Sequence, residues 1–143
     1  MTACPSKRRL YISDWDNDLL HAVALETTHD DDNDDADPPA EDSRWTVANQ
    51  PAGLSLAQAN VLVACHGAGK IQEWSAEGTL IRQIQLADEC RLVWHCLQLN
   101  ADELAISHEG SQHRVVVVSA DDGQPVCNSD AVRIPVFKSN KIK

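Results

Sequence analysis

An all-β fold built from repeated four-stranded sheets is the class that this sequence predicts. Short runs rich in β-branched and aromatic residues recur along the chain, most of them ended by Gly, Asn or Asp, whereas helical spacing of apolar residues is hard to find. The runs also repeat as a group, at a spacing near 43 residues. Four short strands at this period are typical of one β-propeller blade. We therefore expect an incomplete β-propeller of roughly three four-stranded antiparallel blades.

The strands are predicted from the apolar runs and the polar turns between them, and little helix is expected. They are Arg9–Ser13, Leu19–Leu25, Trp45–Ala48, Gly53–Leu56, Asn60–Cys65, Lys70–Trp74, Thr79–Leu86, Val93–Leu99, Glu103–His108, Arg114–Ser119 and Pro125–Cys127.

The repeat is visible when strands are aligned. Leu10–Asp14 matches Val61–Cys65 after a shift of 51 residues, and Val61–Cys65 matches Leu104–His108 after a shift of 43. In each copy a strand leads through a short turn into a second strand. An acidic insert lengthens the first copy alone and explains the larger shift. The first copy is expected to lack its innermost strand.

These alignments divide the chain into a propeller region at 8–127 and a basic C-terminal tail at 128–143. The blades are expected at about 8–49, with the acidic insert at 26–43, then at 50–87 and at 92–127. Three blades leave two apolar sheet faces in water, because a blade buries its faces only against neighbours. We therefore expect a piece of a longer protein, a truncated gene product, or a subunit that covers its open faces by self-association.

The three copies resemble NHL repeats, the blade unit of six-bladed propellers found in tripartite-motif ligases and their relatives. The resemblance covers about 8–127. It is carried by the Asp14–Asn17 turn after a YIS strand, by the PAGLSL opening at Pro51–Leu56, and by the Ser75–Gly78 and Ala120–Gly123 turns between outer strands. It implies a blade order from the innermost to the outermost strand, and a role in binding other proteins.

Charge excludes several classes of function. The chain has 22 acidic and 12 basic residues, and nine of the carboxylates lie between Glu26 and Asp42 without a Lys or Arg. The rest of the chain is nearly neutral, which disfavours a basic face that binds DNA or RNA.

No apolar run is long enough for a membrane span, and no secretory signal is visible. Five cysteines without regular spacing indicate reduced thiols and a cytoplasmic protein.

The candidate partner-binding residues lie on loops expected at one end of the propeller. Loops that join second to third strands, and those that join one blade to the next, open on the same end. This end should gather Asp14–Asp18, His66–Gly69 and Glu109–Gln112 with Ala48–Pro51 and Ala87–Val93. Loops on a rigid scaffold are the usual carriers of binding. The candidates are Asp14, Trp15, Asp16, Asn17, Cys65, His66, His108 and Glu109.

Alternatives remain open for several of these residues. Asp14 and Asn17 are suited to bonding their own turn, and the tryptophans other than Trp15 are suited to packing between blades. The acidic stretch Asp30–Asp37 has the composition of a solvated loop.

No cofactor or metal is predicted. Zinc-binding pairs of the C-x-x-C type are absent, and Cys65 and His66 point to opposite faces of their strand. The Asp14–Asp18 pattern lacks the Gly and Glu of a calcium loop.

The sequence favours a non-catalytic protein-interaction module. It contains no GxSxG, Walker A or GxGxxG motif, and no catalytic residues are predicted. The alternative is a fragment of a six-bladed, metal-dependent, lactonase-like hydrolase. In such an enzyme carboxylates from several blades would hold the metal, and only Asp14 and Glu109 are plausible matches.

Overall fold

The computed structural model describes residues 1–25, 42–109 and 114–126. Within these ranges the chain forms eleven β-strands and two short 3-10 helices, Pro5–Lys7 and Asp88–Cys90. The strands are β1 (Thr2–Cys4), β2 (Arg9–Asp14), β3 (Leu19–Ala24), β4 (Ser43–Thr46), β5 (Pro51–Ala57), β6 (Asn60–Cys65), β7 (Lys70–Trp74), β8 (Leu80–Gln85), β9 (Leu92–Gln98), β10 (Glu103–Glu109) and β11 (Arg114–Ser119).

The strands form three antiparallel meanders in sequence order. Strands β1–β4 make the first sheet, β5–β8 the second and β9–β11 the third, and we call these sheets blade 1, blade 2 and blade 3. Within each sheet, every strand pairs with the strands next to it in sequence. The prediction of an all-β, partial β-propeller is confirmed.

Two apolar layers hold the three blades together. The first lies between blades 1 and 2 and includes Tyr11, Leu20 and Trp74. The second lies between blades 2 and 3 and includes Leu62 and Ile106. The innermost strands are neighbours in space, since β1 and β2 contact β5, and β5 and β6 contact β9. Blade 2 is therefore covered on both faces.

Strand β6 shows how one short sequence fills both layers. Its residues from Val61 to Cys65 are all buried. Because side chains alternate along a strand, Val61, Val63 and Cys65 enter the layer shared with blade 1, whereas Leu62 and Ala64 enter the layer shared with blade 3. A continuous apolar run is typical of a strand buried on both faces, and here it marks the middle blade.

Ten of the eleven predicted strands are confirmed, three with the predicted bounds and the others with ends shifted by at most two residues. The eleventh, predicted at Pro125–Cys127, reaches the described residues only as an isolated bridge between Pro125 and Val118. The expectation that the first copy lacks an innermost strand is wrong, because Thr2–Cys4 pairs with β2 and places Cys4 in the core. Three residues before a proline are too short to show an alternating pattern.

Some predicted features lie outside the described residues. These are the acidic insert except its last two residues, the 110–112 part of the Glu109–Gln112 turn, Cys127 and the basic tail at 128–143.

Across the described ranges, no helix has the length and apolar character needed to cross a membrane.

The tight turn Ser75–Gly78 packs against the neighbouring blade. Ser75 Oγ accepts hydrogen bonds from the backbone N–H groups of Glu77 and Thr79, and the carbonyl of Ser75 accepts one from Gly78 N–H. Gly78 has a φ of +89°, and a Cβ there would overlap the indole of Trp45 in blade 1. The indole of Trp45 in turn stacks on that of Trp74 in blade 2, with the ring centroids 6.0 Å apart.

Replacing Gly78 by alanine should destabilise the interface between blades 1 and 2. The substitution combines a left-handed backbone with a side chain that displaces Trp45, and we expect a loss of about 2 kcal/mol in the free energy of unfolding. Urea denaturation of wild type and Gly78→Ala measures the loss. Gly67→Ala is the control, because it lacks a positive φ and would meet mainly the end of the Gln50 side chain. Equal losses for the two variants would contradict the packing argument.

Candidate functional site

Loops from neighbouring blades meet at one end of the molecule, which we call the loop end. The Asp18 carbonyl accepts a hydrogen bond from Val47 N–H at 3.0 Å, and the Asp18 carboxylate accepts one from Gln50 N–H at 2.7 Å. The Gln50 carbonyl then accepts one from His66 N–H at 2.8 Å. These bonds tie the β2–β3 turn, the β4–β5 connection and the β6–β7 turn together, so their predicted placement at one end is confirmed.

Three rings, one from each blade, form an aromatic cluster at the loop end. They are Trp15 in the β2–β3 turn, His66 in the β6–β7 turn and Trp94 on β9. Trp15 and Trp94 stack with centroids 5.6 Å apart and planes 14° apart. The His66 ring lies 5.1 Å from Trp15 and 4.6 Å from Trp94. The cluster exists only because three blades bring residues 79 positions apart in sequence into contact.

Trp94 is the most exposed of the four tryptophans. Its side chain is 43% exposed, and its indole N–H donates to Oε2 of Glu109 at 3.2 Å. Beside it lies a shallow, mostly apolar groove of about 410 Å³, lined by Ser13, Trp15, Pro51, Ala52, Gly53, Trp94 and His95. A large exposed aromatic ring beside an apolar groove is a common anchor for a binding partner.

Gly53 makes this arrangement possible. A Cβ at Gly53 would collide with the Trp94 carbonyl and the His95 ring, so only glycine lets β5 approach β9 this closely. On the other side, the Ser13 hydroxyl donates to the Ala52 carbonyl at 2.9 Å and ties β2 to β5. Strands β2, β5 and β9 are therefore held close together beside the groove.

Asp14 and Asn17 form hydrogen bonds within their own turn, which is the alternative to partner binding that the sequence left open for them. Asp14 accepts from Asn17 N–H at 3.2 Å and from the Asn17 side-chain amide at 2.9 Å. The pKa of Asp14 is lowered, chiefly by the side-chain hydrogen bond from Asn17, and the His21 ring lies 3.6 Å away. The Asp16 side chain is exposed. The turn therefore carries negative charge beside Trp15.

Cys65 lies away from the predicted surface. Its side chain is completely buried in the layer between blades 1 and 2, with Sγ 3.7 Å from Oε1 of Gln72. Burial raises the pKa of the Cys65 thiol to about 12. Alternation along β6 points this thiol into the core while the next residue, His66, enters the turn. Cys65 offers no direct contact to a partner in this arrangement.

His108 is also buried, with 6% of its surface exposed, and burial is the main cause of its lowered pKa. Its Nδ1 has no hydrogen-bond partner among the described residues. It borders a cavity of about 650 Å³ between the β8–β9 connection and the start of β11. Glu109 lines the same cavity and also accepts the hydrogen bond from Trp94, so it lies between this cavity and the aromatic cluster.

Trp94 is the residue that the sequence analysis missed as a site residue. The sequence did offer one signal, because Trp94 lies near the start of a predicted innermost strand, close to the loop that joins blade 2 to blade 3. Trp45 and Trp74, by contrast, pack against each other between blades 1 and 2, as expected. Val93 and Trp94 are adjacent on β9 and point to opposite faces of the strand, but the sequence does not show which face is exposed. The packing of blade 3 against blade 2 determines that.

The geometry gives no metal centre within the described ranges, since no group of three or more His, Cys, Asp or Glu side chains is placed to share an ion there.

Comparison with known proteins supports the fold. No family model matches the chain, and no curated protein is found as a relative. Among solved structures, the chain is similar to the crystal structure of Myxococcus xanthus glutaminyl cyclase, with a TM-score of 0.57 and 15% identity. The match covers 87% of this chain and 49% of that chain, so this chain spans about half the length of that propeller. At this identity the likeness shows the fold alone, and the chain is a partial β-propeller.

The buried thiols should make stability depend on alkaline pH. Burial raises the pKa of Cys65 and of Cys96 to about 12, against an ordinary value near 9. The folded chain keeps these protons between about pH 9 and 12 while the unfolded chain releases them. Stability is therefore complete below about pH 9 and falls as the pH rises toward 12, by up to about 1.4 kcal/mol per pH unit for each thiol.

Urea denaturation at a series of pH values between about 7 and 11 measures this slope. Cys65→Ala should lower stability at every pH because it leaves a cavity, but its slope above about pH 9 should be shallower than that of wild type. A variant slope as steep as that of wild type would show that Cys65 does not titrate as burial requires.

Proposed function

We propose that this chain is part of an NHL-type β-propeller that binds a protein partner through its loop end, without chemistry of its own. The observation that carries the proposal is the aromatic cluster of Trp15, His66 and Trp94. Partner-binding sites are enriched in Trp, and a few such side chains supply most of the binding energy. Trp15 and His66 lie in turns tied to rigid blades and Trp94 lies on strand β9, which limits the conformational entropy lost on binding.

Charge around the cluster favours a cationic partner side chain. The β2–β3 turn contributes Asp14, Asp16 and Asp18, and Glu109 accepts the hydrogen bond from Trp94. The basic Arg91 nearby is paired with Asp88 at 2.6 Å. A Lys or Arg over an exposed Trp face gains a cation–π attraction, and adjacent carboxylates add to it. The partner is therefore a protein segment that presents Lys or Arg beside an apolar residue suited to the groove.

The NHL assignment rests on the three motifs of the sequence, and two of them have defined structural roles. The Ser75–Gly78 turn packs on the next blade, and the Pro51–Leu56 opening includes Gly53, which admits β9. A cytoplasmic location is part of the same proposal and rests on the cysteines, since all four in the described ranges are free thiols.

The alternative, a metal-dependent lactonase-like hydrolase, calls for ligands from several blades. A lactone or ester hydrolysis assay with and without chelator tests it. Turnover that chelation abolishes would replace the interaction proposal by the enzyme.

Selection of displayed peptides against the immobilised full chain tests the proposal. We expect enrichment of sequences with Lys or Arg next to an apolar residue. Trp94→Ala should weaken the selected peptides at least tenfold, about 1.4 kcal/mol, because the exposed ring is lost. Combined substitution of Asp16, His66 and Glu109 should weaken them similarly. Fluorescence anisotropy with labelled peptides measures both losses.

The control for these variants is Ile81→Ala, which removes a 48% exposed apolar side chain on β8, away from the aromatic cluster. It should leave peptide affinity unchanged. Peptides that bind all variants equally, or no enrichment at all, would refute partner binding at the loop end.

Salt should separate the charged from the apolar part of this binding. Raising ionic strength from about 0.05 M to about 1 M shortens the Debye length to about 3 Å and screens the exposed carboxylates. We expect affinity for a Lys/Arg peptide to fall several-fold, and affinity for its Ala-substituted version to change little. Titrations at both salt concentrations give the comparison; identical salt responses would remove the cationic component.

A further inference from the structure

The number of blades limits how a ring can be built from this chain. β-Propellers have four to eight blades around a central channel. One copy of the chain supplies three described blades, so two copies supply six and three copies would exceed the range. The match to the glutaminyl cyclase propeller agrees with two copies, because this chain covers 49% of that chain. Two copies therefore contain the blades of one closed ring.

The covered layers show which positions of a blade face its two neighbours. On β6 of blade 2, Val61 and Val63 enter the layer shared with blade 1. Leu62 and Ala64 enter the layer shared with blade 3. Because side chains alternate along a strand, each blade has one face toward the preceding blade and one toward the following blade.

Blade 1 has an apolar outer face, on the side away from blade 2. The repeat shift of 51 residues places Leu10 and Ile12 at the positions that blade 2 buries against blade 1. Val23 lies opposite Leu10 in the sheet and so belongs to the same face. Tyr11, between Leu10 and Ile12, is buried in the layer with blade 2. Ile12 is 37% exposed.

Blade 3 has the opposite outer face of the repeat. The shift of 43 residues places Ala105 and Ser107 at the positions that blade 2 buries against blade 3. Leu97 and Val117 lie opposite Ala105, and Val115 lies opposite Ser107. Leu97 is 52% exposed and Val115 38%. This face matches the side of blade 2 that blade 3 covers, so the surface that fits it is the outer face of a blade 1.

We propose that two copies of this chain close one six-bladed ring, in which the outer face of blade 3 of each copy packs on the outer face of blade 1 of the other. A two-fold axis along the channel relates two equal interfaces, so the assembly closes at two copies. Pairing of two blade 3 faces would leave both blade 1 faces uncovered, whereas the ring covers all four. Both aromatic clusters then open on the same end of the ring.

The mass of the full chain in solution tests the inference. Analytical ultracentrifugation should give a dimer of twice the 15.7 kDa of one chain. Ile12→Asp and Val115→Asp each introduce a charge into both interfaces and should raise the dimer Kd at least about hundredfold. Ile81→Asp is the matched control, because Ile81 is 48% exposed on β8 of blade 2 and lies on neither outer face. It should leave the Kd unchanged, and circular dichroism checks that every variant is folded.

An equimolar mixture of Ile12→Asp and Val115→Asp chains distinguishes the ring from other dimers. A mixed dimer keeps one interface between two natural faces and gathers both substitutions in the other. We therefore expect a mixed dimer at concentrations where each variant alone is monomeric; a mass tag on one variant identifies it.

A monomer at every concentration, or a dimer that survives either aspartate, would overturn the proposal. So would a mixture without a mixed dimer. Loss of the dimer with Val115→Asp alone would also overturn it, since the contact would then join two blade 3 faces.

Discussion

Burial of both faces of each blade is the constraint on which this structure depends. A short four-stranded meander has too little core of its own, so its apolar faces must meet those of the next sheet. Blade 2 satisfies this fully, with Val61, Val63 and Cys65 on one side and Leu62 and Ala64 on the other. Hydrogen bonds also join the blades. Arg82 donates to Glu73 within blade 2 and to the Ala120 carbonyl of blade 3.

The same packing creates the aromatic cluster. Trp15, His66 and Trp94 each come from a different blade, so their contact depends on two interfaces at once. Close approach of β5 and β9 at Gly53 sets how far Trp94 stands from the turn that carries Trp15. Destabilising either apolar layer would therefore disturb the surface that we propose for partner binding, even though no residue of that surface changes.

The strands were predictable because their signals are local. A run such as NVLVAC, or the Ser75–Gly78 turn, carries its structure in adjacent residues, and the recurrence of such units gave the blade. Thr2–Cys4 was missed because three residues hold no period, and only pairing with β2 makes them a strand. The 125–127 strand was predicted from a weak run, and the described residues show one bridge of it.

The candidate site was predictable in location but only partly in membership. Loop connectivity alone brought the turns of Trp15 and His66 to one end. It did not distinguish Cys65, whose alternation turns the thiol inward, from His66 beside it, and it gave no reason to choose Trp94 over Trp45 or Trp74. Those distinctions depend on which side of each strand a neighbouring sheet covers.

The amino-acid sequence alone determined that this protein is all-β, that its unit is a four-stranded repeat, and that its negative charge is concentrated in one segment. The reason is that strand alternation, turn residues and charge are properties of neighbouring positions. Only the tertiary structure decided that a ring from each blade meets at the loop end, and that Trp94 rather than Trp45 or Trp74 is exposed there. Both depend on how sheets far apart in sequence pack, which no local pattern encodes.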